Sequence, residues 1–329
     1  MIRTIAYPRA ALIGNPSDGY NGKTIAFVFK NFSAVAELED SDFLEIIPCT
    51  RDRLSFESIH QLADEISENG YYGGVRLVKA TIKTFQNYCN GQGIALSNKN
   101  FKLKYTTDIP HRLGLAGSSA IVTAVMLTLT EFYKVVIDAP VLANLILSVE
   151  KDELKIGAGL QDRVAQVYGT PVYMDFDKAL MQKQGYGSYQ PFNKALLPPV
   201  YLAYRTNLSE GSEVTHNDLA TRYAKGDADV ISAVEQWKAL TDKVWEKLLN
   251  GDKDIATLLN KNFDIRERVC AISPGNKQLI QTARSAGASA KFTGSGGAII
   301  GTYHNDKMFN QLVNAMKEIN AVVIKPDIA

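Results

Sequence analysis

Through the first fifty residues, short runs rich in β-branched and aromatic residues, such as "TIAFVF" and "SAVAELE", are separated by clusters of Gly, Pro, Asn and Asp. That pattern predicts several strands joined by turns. From Gly73 the period lengthens: Val75, Val78, Ile82 and Phe85 recur at three- and four-residue steps, which places them on one face of an amphipathic helix. "FKLKYTT" then alternates as a strand, "SSAIVTAVMLTLTEFY" has helical length, and two more helices are predicted near Val141 to Glu150 and Leu160 to Tyr168. "PVYMDF" closes this half as a strand. Between Lys178 and Pro199 the pattern loses its period in a mixture of Gly, Pro, Gln and Asn, so an inter-domain connection is expected there, dividing the chain into residues 1–185 and 186–329. The second half begins with the strand-like "VYLAYR", continues through long helices to about Val269, and ends helix, strand, strand, helix, strand. That order suits a two-layer α+β sandwich on an antiparallel sheet.

The 329 residues, 46% hydrophobic and 22% charged, suffice for two packed domains. A net charge of +1 supplies no global field for nucleic acid or an anionic membrane, so a small-molecule partner is expected, held by local groups. Cys49, Cys89 and Cys270 are odd in number and lack CxxC spacing, which supports neither a disulfide framework nor a zinc knuckle and fits a reducing cytoplasm best. The N-terminal stretch lacks the pattern of a signal peptide, and the most apolar run, "AIVTAVMLTLTEFYKVVI", is broken by Thr, Glu and Lys, as in a buried helix rather than a membrane span. The four histidines are scattered without metal-ligand spacing.

Three stretches carry candidate chemistry. "GNPSDGYNGKT" ends like a nucleotide-binding Walker loop, but Ser17 occupies the position of its first glycine and a strand follows instead of a helix, so it reads as a polar turn offering Asn15, Ser17, Asp18 and Tyr20. "PHRLGLAGSSA" is a better phosphate site. Gly114 and Gly117 permit tight turns, and Ser118 and Ser119 are placed to cap the helix that follows, which focuses amide N–H groups and the helix dipole on one point. Far downstream, "KFTGSGGAIIG" has small residues from Gly294 to Gly297 between two strands, more than a hairpin needs. In "VEKDELKIGAGLQDRVAQVYG", Glu150 ends one helix and Asp162 lies in the first turn of the next. Asp162 is either a dipole-stabilising residue or a base for a hydroxyl, and Glu150 is a candidate Mg²⁺ ligand.

Taken in order, "PRAALIGNPSDGYNG", "HRLGLAGSSA" after Pro110, and "KFTGSGGAII" resemble the three motifs of the GHMP kinase superfamily over nearly the whole chain. The second has Ala116-Gly117 where many members have a single glycine before the serines. Within the superfamily, "GNPSDGYNG", "GYYGGVRL", "AGLQDRVAQVYG", "NFDIRER" and "KFTGSGGA" are most similar to the glucuronokinase family. The resemblance implies an α+β, two-domain fold: an N-terminal mixed-sheet domain containing a βαβ unit, a C-terminal ferredoxin-like sandwich, and an active site in the cleft between them. It implies ATP-dependent phosphorylation of D-glucuronate at its anomeric oxygen. Gly114, Leu115, Ala116, Gly117, Ser118 and Ser119 would cradle the ATP phosphates, and Gly294, Ser295, Gly296 and Gly297 would shape the closed site. Ser119 and Glu150 would hold Mg²⁺, with Ser118 as a helper. Asp162 would be the base and Arg9 its partner, and Asn15, Ser17, Asp18 and Tyr20 would meet the sugar, with Tyr72 stacking on its ring. For the uronate carboxylate, an arginine fork is favoured over lysine, with Arg76 the first candidate and Arg163 the second. Another sugar acceptor, a same-fold decarboxylase and a non-catalytic sugar sensor stay open, as does monomer or homodimer.

Overall fold

The computed structural model describes residues 1–52, 55–69, 73–205 and 212–329. In the first half, β1 (Ile2–Ala6), β4 (Ala34–Ser41), β6 (Asn100–Thr107) and β5 (Glu45–Ile47) form one sheet in that order. β1 and β6 flank β4 antiparallel, while β5 joins β6 in parallel. The parallel pair needs a crossover, which α1 (Ile59–Asn69) and α2 (Gly74–Gly91) supply. This is the expected βαβ unit in a mixed sheet. The helix α3 (Gly117–Tyr133) lies against β1 and β4. Ala120 to Met126 are all buried, which is why this helix reads as apolar all round instead of amphipathic.

A second sheet has the order β2 (Arg9–Ile13), β3 (Lys23–Val28), β7 (Val172–Asp175) and β8 (Ser188–Pro191), antiparallel throughout. β8 and the short α6 (Lys178–Gln184) occupy the stretch expected to be an irregular connection. The first-half sheet therefore runs on to Pro191, past the boundary expected at residue 185. Its period was hidden because β8 is a half-exposed edge strand with no apolar face to show. The helix α4 (Ala139–Ser148) stops two residues before Glu150, which sits instead in a π-type turn, Val149–Glu153. Then α5 (Leu160–Tyr168) follows, with the predicted bounds.

The second half runs β9 (Val200–Tyr204), α7 (Ser212–Ala224), α8 (Ala228–Leu249), α9 (Ala256–Val269), α10 (Pro274–Ser285), β10 (Lys291–Phe292), β11 (Ala298–Thr302), α11 (Asp306–Glu318) and β12 (Val322–Ile324). Its sheet order, β10-β11-β9-β12, antiparallel at every pair, is that of a ferredoxin-like sandwich. One hydrophobic core spans both halves, from Leu12 and Phe27 to Trp237 and Leu259, and a second lies inside the sandwich around Tyr201, Leu279 and Leu312. The middle sheet is the junction: Ala11 N–H donates to Thr293 O at 3.0 Å, and α8 packs on β2 and β3. Lys23, left without chemistry by the sequence, fastens this junction through Asp242 at 2.9 Å and Asp175 at 3.4 Å.

Candidate active site

Among the described residues, Asp177, Asp227, Ser273 and Asn305 cap α6, α8, α10 and α11 with side-chain oxygens. The helices α3 and α5, like α2, α4 and α9, have no side-chain cap, so their first amides need other partners. Ser118 and Ser119 do not cap α3, because the helix already begins at Gly117 and both serines are inside its first turn. Its flanking residue is Ala116, at φ 62°, and the buried Ser119 hydroxyl donates to Ala116 O at 3.0 Å. The departure from the single-glycine pattern is thus accommodated by an alanine in the left-handed region, with Gly114 at φ 64° two residues before it.

The two glycine loops meet. A Cβ on Gly114 would lie 2.9 Å from Ser295 N, and one on Gly294 would lie 2.4 Å from Gly114 O. Thr293 O and Gly114 O both accept from the Arg9 guanidinium. Arg9 also carries the reactive carboxyl candidate: its Nε donates to Asp162 Oδ1 at 2.9 Å and its Nη2 to the same oxygen at 2.6 Å. Among the described residues, Asp162 Oδ2 receives only a long 3.4 Å contact from Arg163 Nη1. One oxygen of Asp162 is therefore fixed by Arg9 and the other is not.

Asp18 reaches the same place from the turn after β2. It is half-buried and accepts from the Gln161 amide at the start of α5, which Gly159 permits, since a Cβ there would stand 2.4 Å from Asp18 Oδ2. Burial, and then the neighbouring Asp162, push the Asp18 carboxyl up to about 7, against the pull of Arg9. The other turn residues do different work. Ser17 is fully buried, with its hydroxyl donating to Lys23 O at 3.0 Å, so it shapes the turn and does not face a ligand. Asn15 is buried and its Nδ2 donates to Phe292 O and Gly294 O, both at 3.3 Å. Its Oδ1 has no hydrogen-bond partner among the described residues. Tyr20 is buried, with its ring centroid 5.0 Å from that of Tyr223.

The two arginines expected at a carboxylate are placed otherwise. Arg163 is buried, pairs with Glu150 Oε2 and donates to Gly159 O at 2.8 Å. It neutralises the candidate metal ligand and is not offered to a substrate. Arg76 is exposed on the first turn of α2, where it lines a surface groove with Lys83, Glu153 and Leu154. Tyr72 lies outside the described residues. A basic edge that the sequence reading passed over adjoins the phosphate loop: His111, with Arg112 and Arg51, whose charges together with burial hold its imidazole below the ordinary value.

Mg²⁺ takes one or two carboxylates and completes its shell with water and phosphate oxygens. Among the described residues no cluster of three or more His, Cys, Asp or Glu side chains is present to hold a metal alone. Ser119 gives its proton to Ala116 O and so keeps its oxygen lone pairs, and a carboxylate has about four acceptor positions, of which Arg163 takes one on Glu150. The donor set suits a cation shared with phosphates.

Other groups hold this site together to which the sequence reading gave no site role, two of them within the family-like stretch "NFDIRER". Asn262 and Arg266, both buried on α9, bond to Gly14 N and Asn15 O, and to Gly294 O and Ser295 O. Asn276 Oδ1 accepts from Gly297 N at 2.9 Å. The usable signal was polar residues on the face of a helix that also buries Leu259, Phe263 and Val269, because a buried polar group must have a partner.

Residues 76–170 match the family model described as GHMP kinases N terminal domain. The sequence is 44% identical over 302 residues, 90% of this chain and 83% of the relative, to Glucuronokinase 1 of Arabidopsis thaliana. It is 45% identical over 303 residues, 90% and 82% respectively, to Probable glucuronokinase 2 of Arabidopsis thaliana. Among solved structures, a Lactococcus lactis galactokinase complexed with galactose has a TM-score of 0.76 at 17% identity, covering 99% of this chain and 93% of that one. That last likeness is one of fold.

Proposed function

The chain belongs to the glucuronokinase family of the GHMP kinases, and on that premise we propose that it transfers the γ-phosphoryl group of ATP to the anomeric oxygen of D-glucuronate, releasing ADP and D-glucuronate 1-phosphate. The observation that carries the reading is the convergence of Asp162, Arg9 and Asp18 beside two glycine loops in contact.

Asp162 Oδ2 takes the proton of the sugar's 1-hydroxyl as that oxygen bonds to the γ-phosphorus and the bond to ADP breaks. An anomeric hydroxyl is a weak nucleophile, and a positioned carboxylate removes its proton in step with attack. Arg9 fixes Oδ1, so the base has one orientation, and its charge lies near the transferring group. The uncapped amides of α3 and the N–H groups of Gly114 to Ser119 receive the phosphates, with Gly294 to Gly297 closing over them. Mg²⁺, held by Ser119 and Glu150 together with phosphate oxygens, would supply positive charge where negative charge builds on the phosphoryl group. Asp18 and the Asn15 Oδ1 meet sugar hydroxyls. The uronate carboxylate is assigned to neither Arg76 nor Arg163. The three free cysteines suit a reducing cytoplasm, and no described helix is long and apolar enough to cross a membrane. We take the chain to work as a monomer or homodimer, with the cleft between its N- and C-terminal halves as the site.

The test is turnover with ATP on glucuronate, galacturonate, glucose and fucose, followed by phosphorus NMR. A 1-phosphate formed fastest on glucuronate supports the reading, whereas equal rates on glucose and glucuronate end it.

A further inference from the structure

The two ends of the site are joined by one helix. Asn262 and Arg266 are four residues apart on α9, hence on one face and one turn apart. Asn262 uses both ends of its amide on the sugar turn: Oδ1 accepts from Gly14 N at 2.8 Å and Nδ2 donates to Asn15 O at 3.0 Å. Arg266 takes two consecutive carbonyls of the third glycine loop, Nη1 to Gly294 O and Nη2 to Ser295 O, each at 2.7 Å, with its guanidinium carbon 5.0 Å from the centre of the Phe292 ring. Gly294 O also accepts from the side chain of Asn15. The sugar turn, α9 and the glycine loop thus form a closed ring of hydrogen bonds whose three side chains, Asn15, Asn262 and Arg266, are buried.

The geometry points to Arg266 as a positioning residue for nucleotide binding, resting on the reading that the two glycine loops receive ATP. Gly294, Gly296 and Gly297 have no side chains to set the path of their loop. Two of its four carbonyls are held by one planar fork, a task that a lysine point charge performs poorly. With those carbonyls turned to Arg266, the Ser295 amide nitrogen is kept at Gly114, where a Cβ would approach it to 2.9 Å. Arg266 therefore acts through the loop and touches neither substrate. Asn262, on the same helix, holds the sugar turn through its own two bonds, so that turn keeps its place when Arg266 is replaced.

The test uses the full chain as parent, Arg266→Lys and Arg266→Ala, with three readouts: affinity for a non-hydrolysable ATP analogue by calorimetry, kcat and both KM values with glucuronate, and rescue of Arg266→Ala by added guanidinium. The expected result for Arg266→Lys is a loss of about 10-fold or more in analogue affinity and about 100-fold in kcat/KM for ATP, with the glucuronate KM within about 3-fold of the parent, and partial recovery of Arg266→Ala in guanidinium. A lysine variant that folds and binds the analogue as the parent does overturns the proposal, as does a loss confined to the glucuronate KM. If Arg266→Ala does not fold, the lysine variant decides alone. A parent that fails to bind the analogue refutes the underlying ATP reading instead, so the two failures are distinguishable.

Discussion

Replacing Asp18 with asparagine should make the protein more stable, and more so at high pH. The Asp18 carboxyl is pushed from 3.8 up to about 7, first by burial and then by Asp162. A group that holds its proton more tightly folded than unfolded makes stability fall as pH rises through that interval, and the loss is complete above the folded value. At 1.36 kcal/mol per pH unit of displacement the full penalty is about 4 kcal/mol. Some of it is already incurred at about pH 5, where the unfolded carboxyl has ionised, so about 2–3 kcal/mol is lost between about pH 5 and about pH 8. Asparagine has the same shape and cannot ionise, and the rest of the chain titrates nearly alike in both proteins. Urea denaturation of parent and Asp18→Asn at the two pH values gives four free energies. The advantage of the variant should be larger at the higher pH by about 2–3 kcal/mol. An advantage unchanged within about 0.5 kcal/mol would mean that Asp18 ionises as an ordinary surface carboxyl, and the account of its surroundings would fall. A destabilised carboxyl retained at a binding turn is the kind of cost that function maintains.

Asp162→Asn should keep affinity for an ATP analogue while kcat falls by about 10²- to 10⁴-fold; near-normal turnover would remove it as the base. Gly294→Ala places a Cβ 2.4 Å from Gly114 O, so the two loops must separate, and kcat/KM for ATP should drop by about 100-fold, with steady-state kinetics as the check and an unchanged value as the refutation. Glu150→Gln leaves the Arg163 guanidinium buried without its carboxylate and should cost about 3–5 kcal/mol. The double variant with Arg163→Gln should regain much of that in denaturation, and a double-variant loss equal to the sum of the two single losses would show that the pair is not coupled.

The fold was legible wherever a period was clean. The strand "FKLKYTT" alternates buried and more exposed positions, and the helix from Leu160 to Tyr168 and the closing order of the ferredoxin-like half follow the pattern that the sequence predicts. The edge strand Ser188–Pro191 was missed because it lacks that contrast. The contact of the glycine loops was legible because close backbone approach admits few residue types, and Asp162 stood out as an acid in the first turn of a helix. Side-chain partnerships were not legible. Nothing in "LQDRVAQ" says that Arg163 will turn to Glu150, thirteen positions back, or that Ser17 will spend its hydroxyl on Lys23 O. Such pairings depend on how the turn between α4 and α5, and the turn between β2 and β3, bring backbone groups within reach. That is tertiary information, which sequence spacing does not encode.

The buried cations also show how the cleft obtains its shape. Arg9 donates to Thr293 O, Arg266 to Gly294 O and Ser295 O, and Lys291 Nζ to Ala11 O at 2.6 Å. Burial, with Arg266 and Arg9 nearby, holds the Lys291 amine well below its ordinary value, so it serves as a hydrogen-bond donor more than as a charge. Each of these groups donates to protein backbone, and Arg9 to the Asp162 carboxylate as well. A peptide whose carbonyl is held from one side presents its N–H on the other, so the bond from Arg266 to Gly294 O leaves the Ser295 amide nitrogen beside Gly114. Amides and a helix dipole set in this way are oriented during folding, and their reorganisation does not have to occur as charge moves in the transition state. In a chain of net charge +1, Arg9, Arg266 and Lys291 are thereby committed to organising the backbone around the two glycine loops, apart from the basic edge of Arg51 and Arg112.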